Sequence, residues 1–537
     1  MRVEPRLIQQ AGSADPASPQ DPWPRASIVE TPWHGPTVTV LALALSMTIA
    51  IVAAFVTSLT AWTPAAMIAL PLVTVTAIWI SGGAATALLG LVVPDARSTR
   101  LPAHWRPSTR TALLITVCNE DPRPLAAHLA ALRASLARIG LGETVQIFVL
   151  SDTSGRENVA REEAALLTAH AAGVLTYRRR AENTGRKPGN IGDWVDSHGA
   201  HFDHMLVLDA DSRVSAHRVA RMIRRMEQEP DLGLLQAGIG ILRGRTRFGR
   251  HQRVASCLLA PGFGRGLAAW SGRSGNYWGH NAIMRVAAFR SARSLPHLSG
   301  AAPWGGMILS HDFVEAAWIR RAGWAVALDP DIGGSAEEAP QTIDAFHARD
   351  RRWCQGNLQH LRLLAEPGLT PTSRVHLAMG VLSYLVAPIW LILVVLVAFG
   401  GVPVSGELPL IVVAGVLLTP KLCALLERWQ AARTLRRRVV MLRAALGELA
   451  VSSLIAPLVM LRQTRSVLSV CLGRDCGWKS GKGAQRMLPP GLGEAFAGWA
   501  LVALAVPLAG PAALWLAPVA LPLCCAPLVM RVLEAPV

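Results

Sequence analysis

The sequence predicts an α/β domain, with a mostly parallel sheet and helices on both faces, inserted in an α-helical polytopic membrane domain. Two observations carry this. Charge-free apolar runs occupy 37–62 and 64–93 and similar runs return after residue 374; each of the first two exceeds the ~20 residues needed to cross a hydrocarbon layer. Between 94 and 374 charge is dense, and short apolar segments alternate with segments of helical period, the pattern of parallel strands joined by helices.

The elements follow in order. Residues 1–36 are polar and Pro-rich, the composition of a disordered segment. Two membrane helices fill 37–93 around a tight turn at Trp62, Thr63 and Pro64, and a second span so close behind the first argues against a cleaved signal peptide. The soluble domain is 94–374, and two further spans lie within 375–427. Residues 428–492 form a basic, cytoplasmic or interfacial segment. Its apolar stretch 444–461 carries Glu448 and Pro457 and runs into Arg462 and Arg465, so it reads as an interfacial or re-entrant helix, the alternative being one extra span. Residues 493–537 are long enough for a membrane hairpin broken near Gly510 and Pro511, which brings the total to six or more spans.

The net charge is +17, with 51% hydrophobic residues and a mean hydropathy of +0.33. Such a basic balance fits positive-inside topology better than nucleic-acid binding. Arg97, Arg100, Arg106 and Arg110 follow the second span, 428–438 is rich in Arg, and Lys479, Lys482 and Arg486 precede the last hairpin, whereas 401–407 carries only Glu407. The soluble domain and the N-terminus are therefore expected in the cytoplasm. The partner this implies is the lipid bilayer, not a nucleic acid. None of the eight cysteines forms a Cys-x-x-Cys pair, so neither a zinc knuckle nor a disulfide scaffold is expected.

Within the soluble domain, strands are expected at 112–118, 145–150, 173–177 and 206–211, with helices at 125–139 and 159–171 between them. In such sheets ligands bind beyond the carboxyl ends of the strands. Those ends carry Asn119, Glu120 and Asp121, then Asp152, then Asp209 and Asp211. Residues two apart on a strand share a face, so Asp209 and Asp211 can meet one divalent cation. A hard ion bound by few carboxylates plus phosphates suits Mg2+ or Mn2+. An Asp-x-Asp pair is equally compatible with a strand-end turn and Asp152 with a helix N-cap, so their weight comes from their neighbours. The stretch 177–190 supplies Lys187, Gly189 and Asn190, the cations and close backbone approach that a diphosphate needs; a solvated basic face is the alternative. Three later motifs add a polar, aromatic loop with Gly279, His280 and Asn281, the triplet Ser310, His311 and Asp312, and Arg352 with Trp353. An indole flanked by polar groups suits a sugar ring, although a Trp this close to a span is also a natural interface anchor.

In order and wording these motifs resemble the processive inverting family 2 glycosyltransferases of the cellulose synthase type. The phrases TALLITVCNEDP, YRRRAENTGRKPGNIGDW, VLDADS, YWGHNAIMR, ILSHDFVEAAWIRRAGW and RDRRWCQGNLQH are similar to the branch that makes osmoregulated periplasmic glucans, over about 36–473. The resemblance implies a GT-A-like catalytic domain that uses UDP-glucose. Asp152 would contact the uridine, Lys187 and Asn190 the nucleotide and diphosphate, and Asp209 with Asp211 the UDP and its Mg2+ or Mn2+. Asp312 would be the general base, Arg352 would meet the diphosphate, and Trp353, Gly279, His280 and Asn281 would line the acceptor. The implied partners are the nascent glucan, acyl carrier protein and periplasmic glucan-processing proteins. Ser310 and His311 stand where many relatives have Thr-Glu, Arg349 stands for a Gln, and Cys118 for a Tyr; the N-terminal part is short for this branch.

A carboxylate that takes the acceptor proton during attack on the anomeric carbon needs no covalent intermediate, and charge developing on the leaving diphosphate calls for cations. The activity the resemblance implies is an inverting transfer that elongates a β-1,2-linked glucan and passes it through the membrane helices. A cellulose-like β-1,4 polymer is the alternative product, and a nucleotide-sensing transporter or regulator the alternative of another class.

Overall fold

The computed structural model describes residues 35–94, 101–102, 104–292, 295–476 and 489–537. Most of the expected N-terminal segment, together with Arg97, Arg100, Lys479, Lys482 and Arg486, lies outside the described residues.

Among the described residues ten strands form two sheets: β1 (Thr111–Val117), β2 (Val145–Ser151), β3 (Thr176–Arg179), β4 (His204–Asp209), β5 (Arg213–Val214), β6 (Leu232–Ala237), β7 (Gly240–Ile241), β8 (Ala282–Arg285), β9 (Ala325–Asp329) and β10 (Ser335–Glu337). The large sheet has the order β3-β2-β1-β4-β8-β6-β9. It is parallel throughout except for β8, which runs antiparallel to both β4 and β6. β1 explains why the sheet is buried on both faces. Leu113, Ile115 and Val117 pack into one core with the helices Pro122–Arg138 and Ala216–Gln228, while Ala112 and Leu114 enter the opposite core with Trp194 and Trp318. Near-continuous apolar strands are what such a sandwiched parallel sheet requires.

The small sheet, β5-β10-β7, pairs segments far apart in sequence at the edge of the site. One sequence expectation changes at β4. The strand stops at Asp209, and Asp211 lies in the turn beyond it, which closes through Ser212 N donating to Asp209 O at 3.0 Å and Asp209 N donating to Ser212 Oγ at 3.2 Å. The two acids are therefore juxtaposed by a turn and not by the pleat of one strand.

Six helices among the described residues are long and apolar enough to cross a membrane: Gly35–Ser58, Pro64–Val92, Pro371–Ala398, Leu408–Ala431, Leu435–Cys471 and Leu492–Ala509. A bent pair, Ala513–Cys524 and Ala526–Glu534, meets at 55° and passes the same test jointly. The turn after the first helix and the connection between Ala398 and Leu408 lie on one side, joined by Thr60 N to Pro403 O at 3.0 Å and Ser405 N to Ser58 O at 2.8 Å. Helix Leu435–Cys471 incorporates the stretch 444–461 and, just past its end, Cys476 N donates to Gln355 Oε1 at 2.8 Å on helix Ile343–Gln359 of the soluble domain.

The long helix Arg247–Ser271 joins the two parts. A Cβ at Gly266 would stand 1.9 Å from Thr86 O, and one at Gly90 1.9 Å from Gly262 O. Only glycine permits the backbone of this helix to approach that of Pro64–Val92 so closely. Arg265 locks the crossing by donating to Gly90 O at 2.9 Å and pairing with Glu427 at 3.0 Å.

Candidate active site

The parallel strand ends bring Asp152, Lys187, Asp209 and Asp211 to one edge of the sheet. Asp152 sits beyond β2 in a two-pronged pair with Arg180, whose Nε and Nη2 lie 2.8 and 2.9 Å from the carboxylate oxygens. Arg180 also pairs with Asp193 and donates to Thr184 O and Arg186 O, so one guanidinium shapes the whole basic loop. Asn190 is buried in helix Arg186–His198 and receives Arg178 on its side chain and carbonyl.

Lys187 reaches across to β4. Its Nζ pairs with Asp209 and donates to Gly279 O at 2.7 Å. Burial acts to raise the Asp209 pKa, but the cationic Lys187 and His280 overcome it and bring the group down to about 2. Asp211 goes the other way, up to about 6, through burial and the neighbouring negative charges of Asp209 and Glu337. The two acids of the Asp-x-Asp motif are thus in different electrostatic states.

Gly279 and Asn281 adopt positive φ, 88° and 50°, which folds the loop so that His280 is turned inward between them. A Cβ on Gly279 would lie 3.5 Å from Asp312 Oδ2, so the Lys187 to Gly279 contact leads directly to the Ser310-His311-Asp312 turn. His280 Nδ1 faces Ser212 Oγ at 3.3 Å and Nε2 faces Glu337 Oε2 at 3.3 Å. Burial disfavours its charged form, yet Asp209 and Glu337 raise its pKa to about 9. Asn281 is buried and donates to Ser335 Oγ on β10 at 2.8 Å.

Asp312 opens helix His311–Arg321. Burial raises its pKa, the adjacent His311 opposes that shift, and Glu315 reinforces it. His311 faces Glu315 at 3.1 Å and its own pKa is raised: burial works against the charge, and Glu315 more than offsets it. The turn is gripped from the end of helix Ile343–Gln359: Nε2 of its C-cap residue His360 contacts Ser310 O at 2.9 Å, and Asn357 Nδ2 lies 3.4 Å from Ser310 Oγ. A Cβ at Gly356 would stand 2.4 Å from Ser310 N, which is why that helix can pass so near.

Trp353, 45% exposed, lies on the same helix with Arg349 stacked 4.6 Å over its ring. A cavity of about 590 Å³ joins Asp312, His280, Trp278, Glu337, Asn357 and Trp353 to membrane-helix residues, among them Trp79, Met379 and Tyr384. Arg352 is on the neighbouring turn face, beside Arg349 and Arg351 and close to Cys476, and burial lowers its pKa. It is not among the residues that line the cavity.

Three residues of this site escape a reading of motifs. Gln236 is fully buried on β6 and clamps the 278–281 loop: its Nε2 donates to His280 O at 3.0 Å and its Oε1 accepts from Trp278 N at 2.9 Å. A lone Gln within an apolar strand was the available signal. Arg180 and Glu337 are the others. Arg180 was one basic residue among several, and Glu337 is placed only by the pairing of β10.

The sequence matches the model of "Glycosyl transferase family 2" over 112–292 and that of "Glycosyl transferase family group 2" over 204–402. The glucans biosynthesis glucosyltransferase H of Cereibacter sphaeroides is 39% identical over 86% of this chain and 83% of its own length. Those of Xanthomonas euvesicatoria and Vibrio cholerae are each 40% identical over 74% of this chain, covering 68% and 60% of their own lengths. Among solved structures, a mannosyltransferase from Pyrobaculum calidifontis in complex with GDP-Man and Mn2+ aligns at 13% identity and a TM-score of 0.43, covering 80% of this chain and 99% of that one.

Proposed function

The chain belongs to the glucans biosynthesis glucosyltransferase H family of family 2 glycosyltransferases, and from that premise we propose that it transfers glucose from UDP-glucose to a growing β-1,2-linked glucan, with inversion, and passes the product through its own membrane helices. The observation that carries the reading is the continuous cavity from Asp312 and Trp353 to Trp79, Met379 and Tyr384. It joins a half-buried carboxylate and an indole to the membrane helices, which suits a reaction whose product leaves through them.

In this reading Asp312 takes the proton of the acceptor hydroxyl as its oxygen attacks the anomeric carbon, and the bond to UDP breaks with its electron pair on the diphosphate. A carboxylate whose pKa is raised by burial is better matched to that proton than an ordinary one. Displacement from the face opposite UDP turns an α-linked donor into a β-glucoside. Asp152 and Asn190 hold the nucleotide end, Lys187 and Arg352 meet the diphosphate, and Trp353, Gly279, His280 and Asn281 flank the acceptor.

The residues fit a divalent cation. Asp209 and Asp211 share one turn, and burial first, then the negative charges of Asp209 and Glu337, raise the Asp211 pKa. Asp209 and Asp211 would hold Mg2+ or Mn2+ together with phosphate oxygens, and the bound ion would supply charge neutralisation at the diphosphate. The soluble domain and N-terminus face the cytoplasm of a bacterial inner membrane. The Arg-rich 428–438 segment and the near absence of charge at 401–407 support this orientation. Action with acyl carrier protein and periplasmic glucan-processing proteins belongs to the same reading.

The test is product analysis. Purified protein in lipid, given UDP-glucose and Mg2+ or Mn2+, should make polymer, and methylation analysis should give 2-linked glucose. Predominant 4-linked glucose would replace the linkage by that of a cellulose-like polymer, and UDP-glucose binding without turnover would make the protein a nucleotide-sensing membrane protein. Synthesis in the absence of acyl carrier protein would remove that partner.

A further inference from the structure

The acids of the cleft number more than the proposed chemistry uses. Glu337 ends β10, lines the same cavity as Asp312 and Trp353, and has no role in the proton transfer. Its placement is over-determined. β10 pairs with β5 through Ser335 and Val214 and with β7 through Glu337 and Ile241. Leu242 N donates to Glu337 O at 2.9 Å, and Asn281 Nδ2 grips Ser335 Oγ at 2.8 Å. The side chain is steered by His280, whose Nε2 holds Oε2 at 3.3 Å while its Nδ1 is fixed by Ser212 and Asn281. Among the described residues no hydrogen bond is made to Glu337 Oε1. A strand end, a histidine and an asparagine together hold this carboxylate on the wall of a cavity that also holds two indoles, Trp278 and Trp353.

We infer that Glu337 is a specificity-determining residue that accepts hydrogen bonds from hydroxyls of the acceptor glucose and so selects which hydroxyl faces Asp312. The inference rests on the proposed glucan synthesis and deepens it. A carboxylate is an acceptor only and can take two donors at once, so it suits a sugar edge with adjacent hydroxyls. Charge-assisted bonds of this kind are about twice as strong as neutral ones. Indoles fix the tilt of the ring but not its rotation; a directional acceptor does fix the rotation, and rotation decides the linkage. His280 and Asn281 then act through Glu337 as positioning residues. The other carboxylate of the cavity, Asp329, is already committed to Arg218 at 3.1 Å and to Asp331 N at 3.1 Å, which leaves Glu337 as the group with a free oxygen.

The experiment compares wild-type protein with Glu337→Gln and Glu337→Ala in lipid, using UDP-glucose, Mn2+ and a β-1,2-linked glucotriose acceptor. UDP-glucose affinity is measured separately by calorimetry. Glu337→Gln keeps the size and replaces one acceptor oxygen by a donor, so it should fold as the native chain does. The expected result is an acceptor KM raised roughly tenfold or more, donor affinity within a factor of about 2 of wild type, and loss of the single linkage in the product. A Glu337→Gln protein with unaltered acceptor KM and linkage overturns the inference. So does one whose main defect is donor or Mn2+ affinity, because Glu337 would then serve Asp209 and Asp211. If the wild-type protein itself makes no polymer, the proposed function fails first, and that outcome is distinguishable because it needs no variant.

Discussion

Around Asp152 and Asp209 the charges are held by cations from the neighbouring basic stretch, Arg180 and Lys187, whereas around Asp312 the polar groups are held by segments far away in the chain. Ser310 meets Asn357 and His360; Asn357 in turn meets Gly380 of a membrane helix, where a Cβ would stand 2.2 Å from its Oδ1; and Asp350 is tied to Tyr384 at 3.1 Å and Gln463 at 3.2 Å. The proposed donor half is therefore electrostatic and local, and the acceptor half is a packing arrangement between the soluble domain and the membrane helices. The contrast fits the tasks proposed for them. A diphosphate needs fixed charge, while a chain that must advance needs walls.

The comparison breaks first at Asp312. Asp312→Asn should abolish polymer synthesis, by roughly 10³-fold for a lost general base, and leave UDP-glucose affinity intact, because Asp312 itself is assigned no contact with the donor. Assay of turnover and calorimetry on the same preparation separate the two. Synthesis that survives would remove Asp312 from the base role.

The donor half should fail differently, through stability. The Arg180 and Asp152 side chains are 9% and 6% exposed, and deleting one partner of a buried pair costs about 3–5 kcal/mol because the other is left charged and unpaired. Arg180→Met should lower the thermal unfolding temperature and UDP-glucose affinity together, and Arg180→Met with Asp152→Leu should recover part of the stability but not the affinity. Equal unfolding temperatures for wild type and the single variant would mean that the pair is not structural.

How much of this was readable in the sequence follows the same division. β1, β2 and β4 announce themselves as apolar runs with polar ends, and Asp152, Lys187 and Asp209 sit at or beside those ends, so the local half was legible. The turn that removes Asp211 from the strand was not, since the pattern of Leu-Val-Leu-Asp-Ala-Asp fits both strand and turn and the Ser212 closure decides between them. Arg180 was visible as charge but not as a partner. Glu337 and Gln236 depend on pairings across the sheet, β10 with β5 and β7 and β6 with β8, and no periodicity in a single chain reports which distant strands will meet.

The packing half can be probed by volume alone. Gly380→Ala pushes a methyl toward Asn357 Oδ1, and overpacking of this kind costs about 1–3 kcal/mol. The expected outcome is a several-fold fall in kcat with donor affinity unchanged, since the strain passes through Asn357 to Ser310 and Asp312. A variant that loses donor affinity equally would show that the two halves are mechanically one.

The smallest effect tests an i,i+4 charge pair in the acceptor half, His311 with Glu315. Burial raises the Asp312 pKa and His311 holds it back; Lys187 also lowers it, while Glu315 on the same helix raises it, and Tyr277 faces the group as a neutral phenol, its pKa raised by burial and by Glu315 and Asp312. Asp312 must be ionised to accept a proton, so the rate falls as pH drops through its pKa, and the acid limb of kcat/KM should lie above the ordinary carboxylate range. His311→Gln removes the opposing cation and leaves Glu315 in place. The Asp312 pKa then rises further, and the limb should move to higher pH. Adding Glu315→Gln removes the like charge as well and should bring the limb back. A limb that stays fixed in His311→Gln, or moves to lower pH, would mean that the pair positions the helix without tuning the base, and the acceptor half would then be a packing arrangement with no electrostatic control of its own.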